Sequence, residues 1–278
     1  MSFKQENFKT SDNKKLVIFH HLVGQTSDKV VLIIHGHGDH GGRYAGVSEF
    51  FNEKGIPTAV LTLRGHGLSE GKRGHAPSLN QLILDVEYFI RQVRLKYMDA
   101  AFYLYGHSMG GNIVLNYLIR DQSSELTAAI VTSPWIALAF QPPKFKVMLG
   151  NIVADIIPTY TEQSDLDIAE ISTIKEEVQR YAADELNHKK ISAKLFQQIS
   201  RGGINIQTDC HKINQAVFLA HGELDLITSF EASQKLAEQC EKISWHPYEN
   251  SKHEIHHDED KGALLNDIYH WINDPNNH

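Results

Sequence analysis

The sequence predicts an α/β protein built on a largely parallel sheet with helices on both faces. Two observations carry this. Short runs rich in Val, Ile and Leu alternate with helix-period patterns along most of the chain, as βαβ units do. One such run, ending "YLYGHSMGG" at Tyr103–Gly111, passes through a glycine-rich turn straight into the helical pattern "NIVLNYLI".

In chain order, "KKLVIFHHL" and "KVVLIIH" read as strands, and "RYAGVSEFFNEKG" as a helix ending at Gly55. "PTAVLTL" is the next strand and "LNQLILDVEYFIRQVRLKY" a long amphipathic helix. "AFYLYG" and "NIVLNYLIRD" flank the glycine turn, and "TAAIVTS", "AVFLAHG" and "ISWHPY" are further strands. "FEASQKLAEQC" and "GALLNDIYHWI" are helices. From about Phe140 to about Cys210 the alternation stops. Helical patterns such as "KFKVMLGNIVADII" and "KKISAKLFQQIS" take over, with no clear strands. This segment reads as an insertion at the carboxyl edge of the sheet, where such folds bind ligands.

Composition narrows the function. The 278 residues suit one large domain or one domain with an insertion. A net charge of −7 without a dense Lys/Arg run argues against nucleic-acid binding. The N-terminus lacks the apolar core of a secretory signal, and "AAIVTSPWIALAF" is too short to span a bilayer. Two cysteines, Cys210 and Cys240, argue against a disulfide scaffold and fit a reducing compartment, with a single bridge between them left open. A cytoplasmic protein is expected.

Gly106-His107-Ser108-Met109-Gly110 matches G-x-S-x-G with a strand before it and a helix after it. A nucleophile in a strained turn needs neighbours without bulk where backbone meets backbone. The helix that follows turns its amide end toward the serine. A structural βα turn is the bland alternative. A serine needs a base and the base an orienting acid, in the order Ser, Asp or Glu, His. Asp225, just past the strand "AVFLAHG", is the chosen acid, with Glu223 in reserve. Among 17 histidines, His253 follows the last strand and precedes the last helix. His246 lies within that strand, and His256 and His257 are close to the helix start. The tetrahedral oxyanion needs two amide donors. His37, in "LIIHGHGDHGGRY" directly after a strand, and Met109, after the serine, supply them through their backbone N–H groups. A phosphate cradle is disfavoured there, because no P-loop lysine and no G-x-G-x-x-G spacing accompany the glycines. A metal site in the His and Asp cluster after the last strand lacks a two-histidine helical motif.

Together "HGHGDHGGRY", "LRGHGLSEGKRGH", "GHSMGG", "HGELD" and "NSKHEIHHD" resemble, in this order, the monoacylglycerol lipases and related lysophospholipases. The resemblance covers nearly the whole chain. It implies an α/β-hydrolase fold with a helical cap inserted after the sixth strand: a catalytic core of residues 1–139 and 211–278, and a cap of 140–210. It further implies Ser108 as nucleophile, Asp225 as acid, His253 as base, and His37 and Met109 as oxyanion donors. Hydrolysis of a lipid ester, a monoacylglycerol or lysophospholipid, follows, with no metal and no cofactor. Thr62 departs from the family pattern, in which many members carry an acid two residues before this arginine.

In the insertion, Phe145, Met148, Leu149, Ile152, Val153 and Ile156 share one broad helical face. It packs on the core, lines an acyl site or touches a lipid surface. Phe145, Met148, Leu149 and Ile152 are the candidate substrate contacts, and transient membrane contact through the cap is a candidate partner interaction. No oligomeric state is assigned. The rival functions are a general carboxylesterase or peptidase of the same fold, and an acyl-ligand binding protein without turnover.

Overall fold

Eight strands form the central sheet of the computed structural model, which describes residues 4–21, 27–120, 125–164 and 166–277. They are β1 (Lys4–Lys9), β2 (Lys15–His21), β3 (Lys29–Ile34), β4 (Thr58–Thr62), β5 (Ala101–His107), β6 (Ala128–Thr132), β9 (Ala216–Gly222) and β10 (Ile243–Tyr248). A separate antiparallel pair joins β7 (Thr161–Gln163) and β8 (Lys190–Ser192). The helices are α1 (Ala45–Glu53), α2 (Leu79–Arg94), α3 (Met109–Ile119), α4 (Lys144–Ile156), α5 (Lys175–Ala183), α6 (Ala193–Asp209), α7 (Phe230–Gln239) and α8 (Lys261–Asn273). The main sheet runs β1-β2-β4-β3-β5-β6-β9-β10. Only β1–β2 and β2–β4 pair antiparallel; the other five pairings are parallel, as the strand composition predicts.

Side chains leave a strand alternately to its two faces, and two cores result. Leu32, Ile34, Leu104 and Val131 pack with Leu82, Val86, Phe89 and Ile113 of α2 and α3. Val31, Ile33, Tyr105 and Ile130 pack with Phe51 of α1 and Leu264 and Ile268 of α8. Serines start three of the helices. Ser78, Ser192 and Ser229 accept from the N–H of Gln81, Leu195 and Ala232 at 3.0, 3.1 and 3.1 Å, satisfying amides that a helix start leaves unpaired.

Several elements differ from the sequence expectation. β1 carries no apolar alternation and buries only Phe8, which pairs with Leu16 of β2. The insertion holds a strand pair, but three residues per strand are too few to show a period. Within "KKISAKLFQQIS" the helix begins only after the Ser192 cap. α5 is polar on most of its surface and buries only Tyr181, so its pattern was inconspicuous. Leu22 and Asp121, at the ends of two predicted elements, lie outside the described residues.

α4 to α6, with β7 and β8, fill the chain between β6 and β9. α6 seats closely on α3: a Cβ on Gly202 would stand 2.5 Å from Asn112 Oδ1, and Asn112 Nδ2 donates to the Ile199 carbonyl at 3.0 Å. Cys210 and Cys240 are bonded to each other, with Cα atoms 6.1 Å apart. This corrects the use of cysteine count as an argument for a reducing compartment. The ends of α6 and α7 meet in space, which a separation of 30 residues does not reveal. Among the described residues no helix is long and apolar enough to cross a membrane.

Candidate active site

At the end of β5 the chain turns abruptly, and Ser108 adopts φ 54°, ψ −117° before α3 begins. A non-glycine residue in that region costs of order 1–3 kcal/mol and persists only where its surroundings over-determine it. Here the Ser108 N–H donates to the Thr132 carbonyl, and its own carbonyl accepts from Asn112 and Trp135, each at 3.0 Å. The glycines are there for clearance. A Cβ on Gly106 would stand 2.6 Å from the Gly110 carbonyl oxygen, and one on Gly110 2.3 Å from that of Ile34. The turn therefore holds the serine over the sheet edge with α3 pointing its amide end at it.

His253 sits in the loop between β10 and α8. Its Nε2 lies 2.9 Å from Ser108 Oγ, and its Nδ1 lies 2.7 Å from Asp225 Oδ2. An ionised carboxylate only accepts, so Nδ1–H donates to Asp225, and Nε2 faces the serine hydroxyl as acceptor. Asp225 is held on every side. Oδ1 accepts from the N–H of Ile227 and Thr228 at 2.7 and 3.0 Å, and Oδ2 lies 2.8 Å from Thr228 Oγ1 and 2.9 Å from His221 Nε2. Burial alone would raise the Asp225 carboxyl; the charge of His253 and the hydrogen bonds from His221 and His253 outweigh it and hold the group well below the carboxylate range. Burial opposes charge on His253 too, yet the Asp225 charge and hydrogen bond prevail and raise its proton affinity above that of a free imidazole.

The reserve candidates lie elsewhere. Glu223 is exposed and donates its N–H to the Tyr248 carbonyl. His246 stacks on Phe218 at 3.8 Å, and His256 is buried against Tyr44 at 4.9 Å. The acids after His253 are structural, a role the sequence did not show. Asp260 accepts from Asn250 N–H and Ser251 Oγ at 2.9 Å each. Asp258 accepts from Lys252 N–H at 2.8 Å and from Thr173 N–H of the insertion at 2.9 Å.

His37 and Met109 flank the serine. The loop bearing His37 runs so close that a Cβ on Gly36 would stand 3.2 Å from Ser108 Cβ. Among the described residues neither the His37 nor the Met109 backbone N–H donates a hydrogen bond. The loop is held by the insertion: His188 N–H and Tyr181 Oη donate to the Gly38 carbonyl at 2.9 and 3.3 Å, and His40 Nε2 pairs with Asp184 at 2.9 Å. Thr62, the departure from the family pattern, accepts from Gly41 N–H at 3.1 Å and so anchors the same loop.

Above these groups lies a cavity of about 870 Å³. Trp135, Leu138, Phe196 and Leu226 line it, together with Phe145 and Leu149 of α4. The predicted face of α4 divides in two. Phe145, Leu149 and Val153, spaced by four, line the cavity, whereas Met148 and Ile152 form the adjacent stripe and do not; Phe145 and Leu149 at its mouth are as exposed as Met148 and Ile152. The polar wall is a charged group that sequence reading missed. Arg43 forms a two-pronged pair with Glu254 at 2.7 and 2.6 Å, and reaches Asp39 at 3.2 Å. Burial would raise Glu254, but the Arg43 charge and hydrogen bond outweigh it and hold its carboxyl below the usual range. Asp39 and Glu254 both line the cavity.

Comparison with known proteins shows the family and the fold. The model of the Hydrolase_4 family, described as serine aminopeptidase, S33, matches residues 25–260. An abhydrolase domain-containing protein of Dictyostelium discoideum is 30% identical over 275 residues, covering 98% of this chain but 29% of that protein. A monoacylglycerol lipase of Mycolicibacterium smegmatis is 26% identical over 246 residues, 87% of each chain. The crystal structure of the Paleococcus ferrophilus monoacylglycerol lipase matches with a TM-score of 0.82 at 26% identity, covering 98% of each chain. The Saccharomyces cerevisiae monoglyceride lipase shares the fold, with a TM-score of 0.86 at 22% identity over 98% of this chain and 94% of that one.

Proposed function

This chain belongs to the Hydrolase_4 family (serine aminopeptidase, S33) and has the α/β-hydrolase fold, and on that basis we propose that it hydrolyses carboxylic esters of lipids, monoacylglycerols or lysophospholipids, through Ser108, His253 and Asp225. The observation that carries the reading is the hydrogen-bonded line from Ser108 Oγ through His253 to Asp225, which opens into an apolar cavity. The related monoacylglycerol lipases support the substrate class.

In the proposed reaction His253 Nε2 takes the Ser108 proton as Oγ attacks the ester carbonyl. The oxyanion lies on the N–H groups of His37 and Met109, and α3 adds the positive end of its dipole. Asp225 stabilises the imidazolium, which then protonates the departing alcohol. Water, deprotonated by the same histidine, releases the acid from the acyl-serine. Residues 140–210 act as the cap, with Phe145 and Leu149 against the acyl chain and the outward stripe of Met148 and Ile152 meeting the lipid surface. The reaction draws on no metal or cofactor.

The test is hydrolysis of a chain-length series of monoacylglycerols by wild type and Ser108→Ala. Turnover that peaks at a medium or long chain and vanishes in the variant supports the reading. Labelling of Ser108 by a fluorophosphonate without monoacylglycerol turnover would keep the serine chemistry and remove the substrate class. No labelling at all would favour an acyl-ligand binding protein.

A further inference from the structure

Asp225 is hydrogen-bonded to two imidazoles, and the proposed reaction uses one of them. His221, in β9, is fully buried. Its Nε2 lies 2.9 Å from Asp225 Oδ2, the same oxygen that His253 Nδ1 approaches at 2.7 Å. On its far side Nδ1 lies 2.8 Å from Ser233 Oγ in α7, and Ser233 is also fully buried. Because the carboxylate only accepts, Nε2 must carry a proton; in the neutral ring Nδ1 then accepts from the Ser233 hydroxyl. The Asp225 carboxylate thus selects the tautomer, and the Ser233 hydroxyl, free to donate, satisfies the remote nitrogen and polarises the ring toward Asp225.

We propose that His221 is a positioning residue: it holds the Asp225 carboxylate from behind and, by sharing Oδ2, sets how strongly that oxygen holds the His253 proton. The inference rests on the reading of Ser108, His253 and Asp225 given above. Both Asp225 oxygens are engaged, Oδ1 by backbone N–H groups and Oδ2 by Thr228 and the two histidines. Removing the His221 donor leaves the negative charge on Oδ2 less shared. That charge then stabilises the His253 imidazolium more, and His253 keeps its proton to higher pH. The other groups facing His253 are unchanged by this substitution. They are Ser108 at Nε2, Thr228 beside Nδ1, His107 with its ring centroid at 4.8 Å, and Glu254, next in the chain and paired with Arg43. His256, stacked edge-on against His107 at 4.7 Å, completes the set.

The experiment compares pH profiles of kcat/KM on a soluble short-chain ester for wild type, His221→Phe and His221→Gln, with melting temperatures alongside. Phe keeps a ring and removes the donor; Gln keeps an N–H at similar reach. In His221→Phe the acid limb is expected to rise by roughly half to one pH unit, with kcat down about tenfold, and in His221→Gln the limb returns toward wild type. A ring needed only for packing predicts the reverse: an unmoved limb in Phe and a lower melting temperature in Gln. That result overturns the proposal. If His221→Phe does not fold, Ser233→Ala carries the test, since it frees Nδ1 and should move the limb the same way by less; an unmoved limb there also overturns it. Wild-type turnover that survives Ser108→Ala would instead overturn the underlying catalytic reading, which an unmoved limb in an active His221 variant does not.

Discussion

Ser108 Oγ and His253 Nε2 lie 2.9 Å apart across 145 residues of sequence, and the loop that delivers the histidine is tied to the insertion as well as to the core. Glu254 N–H donates to the Ile171 carbonyl at 2.7 Å, and Ser172 Oγ donates to that of His257 at 2.9 Å. The insertion thus braces the loop of His253, the proposed base, besides lining the cavity.

The raised proton affinity of His253 sets a pH dependence. The base must be neutral, so kcat/KM is expected to fall as pH drops through a limb lying above the ordinary imidazole value of about 6.5. Asp225→Asn removes the two larger raising influences, and burial, which lowers the proton affinity, is then opposed by the Glu254 charge alone. The limb should then move down in pH while kcat drops by about 10⁴-fold. A pH–rate profile of both proteins checks the direction, and an unmoved limb would separate His253 from Asp225 functionally.

Gly110→Ala should be severe although it adds one methyl group. Its Cβ would lie 2.3 Å from the Ile34 carbonyl oxygen, a backbone atom that cannot swing aside. A loss of roughly 3 kcal/mol or more in stability, or failure to fold, is expected, as for an overpacked site. Gly262→Ala, where nothing lies within 4 Å, is the control. Chemical denaturation of the pair measures the difference.

The two stripes of α4 should respond differently. Leu149→Trp fills part of the cavity and should shift the preferred acyl chain to shorter lengths, whereas Met148→Asp, on the stripe that does not line it, should leave that preference alone. Met148→Asp should instead weaken binding to lipid vesicles if that stripe meets the lipid surface. Equal chain-length profiles in all three proteins would remove Leu149 from the acyl site.

Reducing the Cys210–Cys240 bridge, or replacing either residue by Ser, should lower stability. Closing a loop of this length restricts the unfolded chain by an amount equivalent to about 3–4 kcal/mol. Thermal unfolding with and without reductant measures it. The bridge precedes the starts of β9 and β10, whereas Ser108, Asp225 and His253 follow the ends of β5, β9 and β10, so the short-ester kcat at 25 °C should stay within about twofold.

What the sequence determined by itself is what short-range sterics and periodicity govern. The Val, Ile and Leu runs of β3 to β6 and β9 could only be covered strands, and the G-x-S-x-G spacing announced a turn where backbone packs on backbone. Gly106 and Gly110 bear this out atom by atom. Chain order pointed to Asp225 and His253, and the structure brings both to Ser108. Tertiary structure alone decided the longer-range partnerships. Nothing local distinguishes His221, behind the acid, from the other 16 histidines, or joins Arg43 to Glu254 across 211 residues. The same holds for the pairing of Cys210 with Cys240, and for which residues of α4 line the cavity, Leu149 among them and Met148 not. These depend on where separate loops arrive at one sheet edge, and a hydrogen bond or a disulfide forms only within a few ångströms. Local pattern fixes each element's shape; its neighbours are set by the packing of the whole chain.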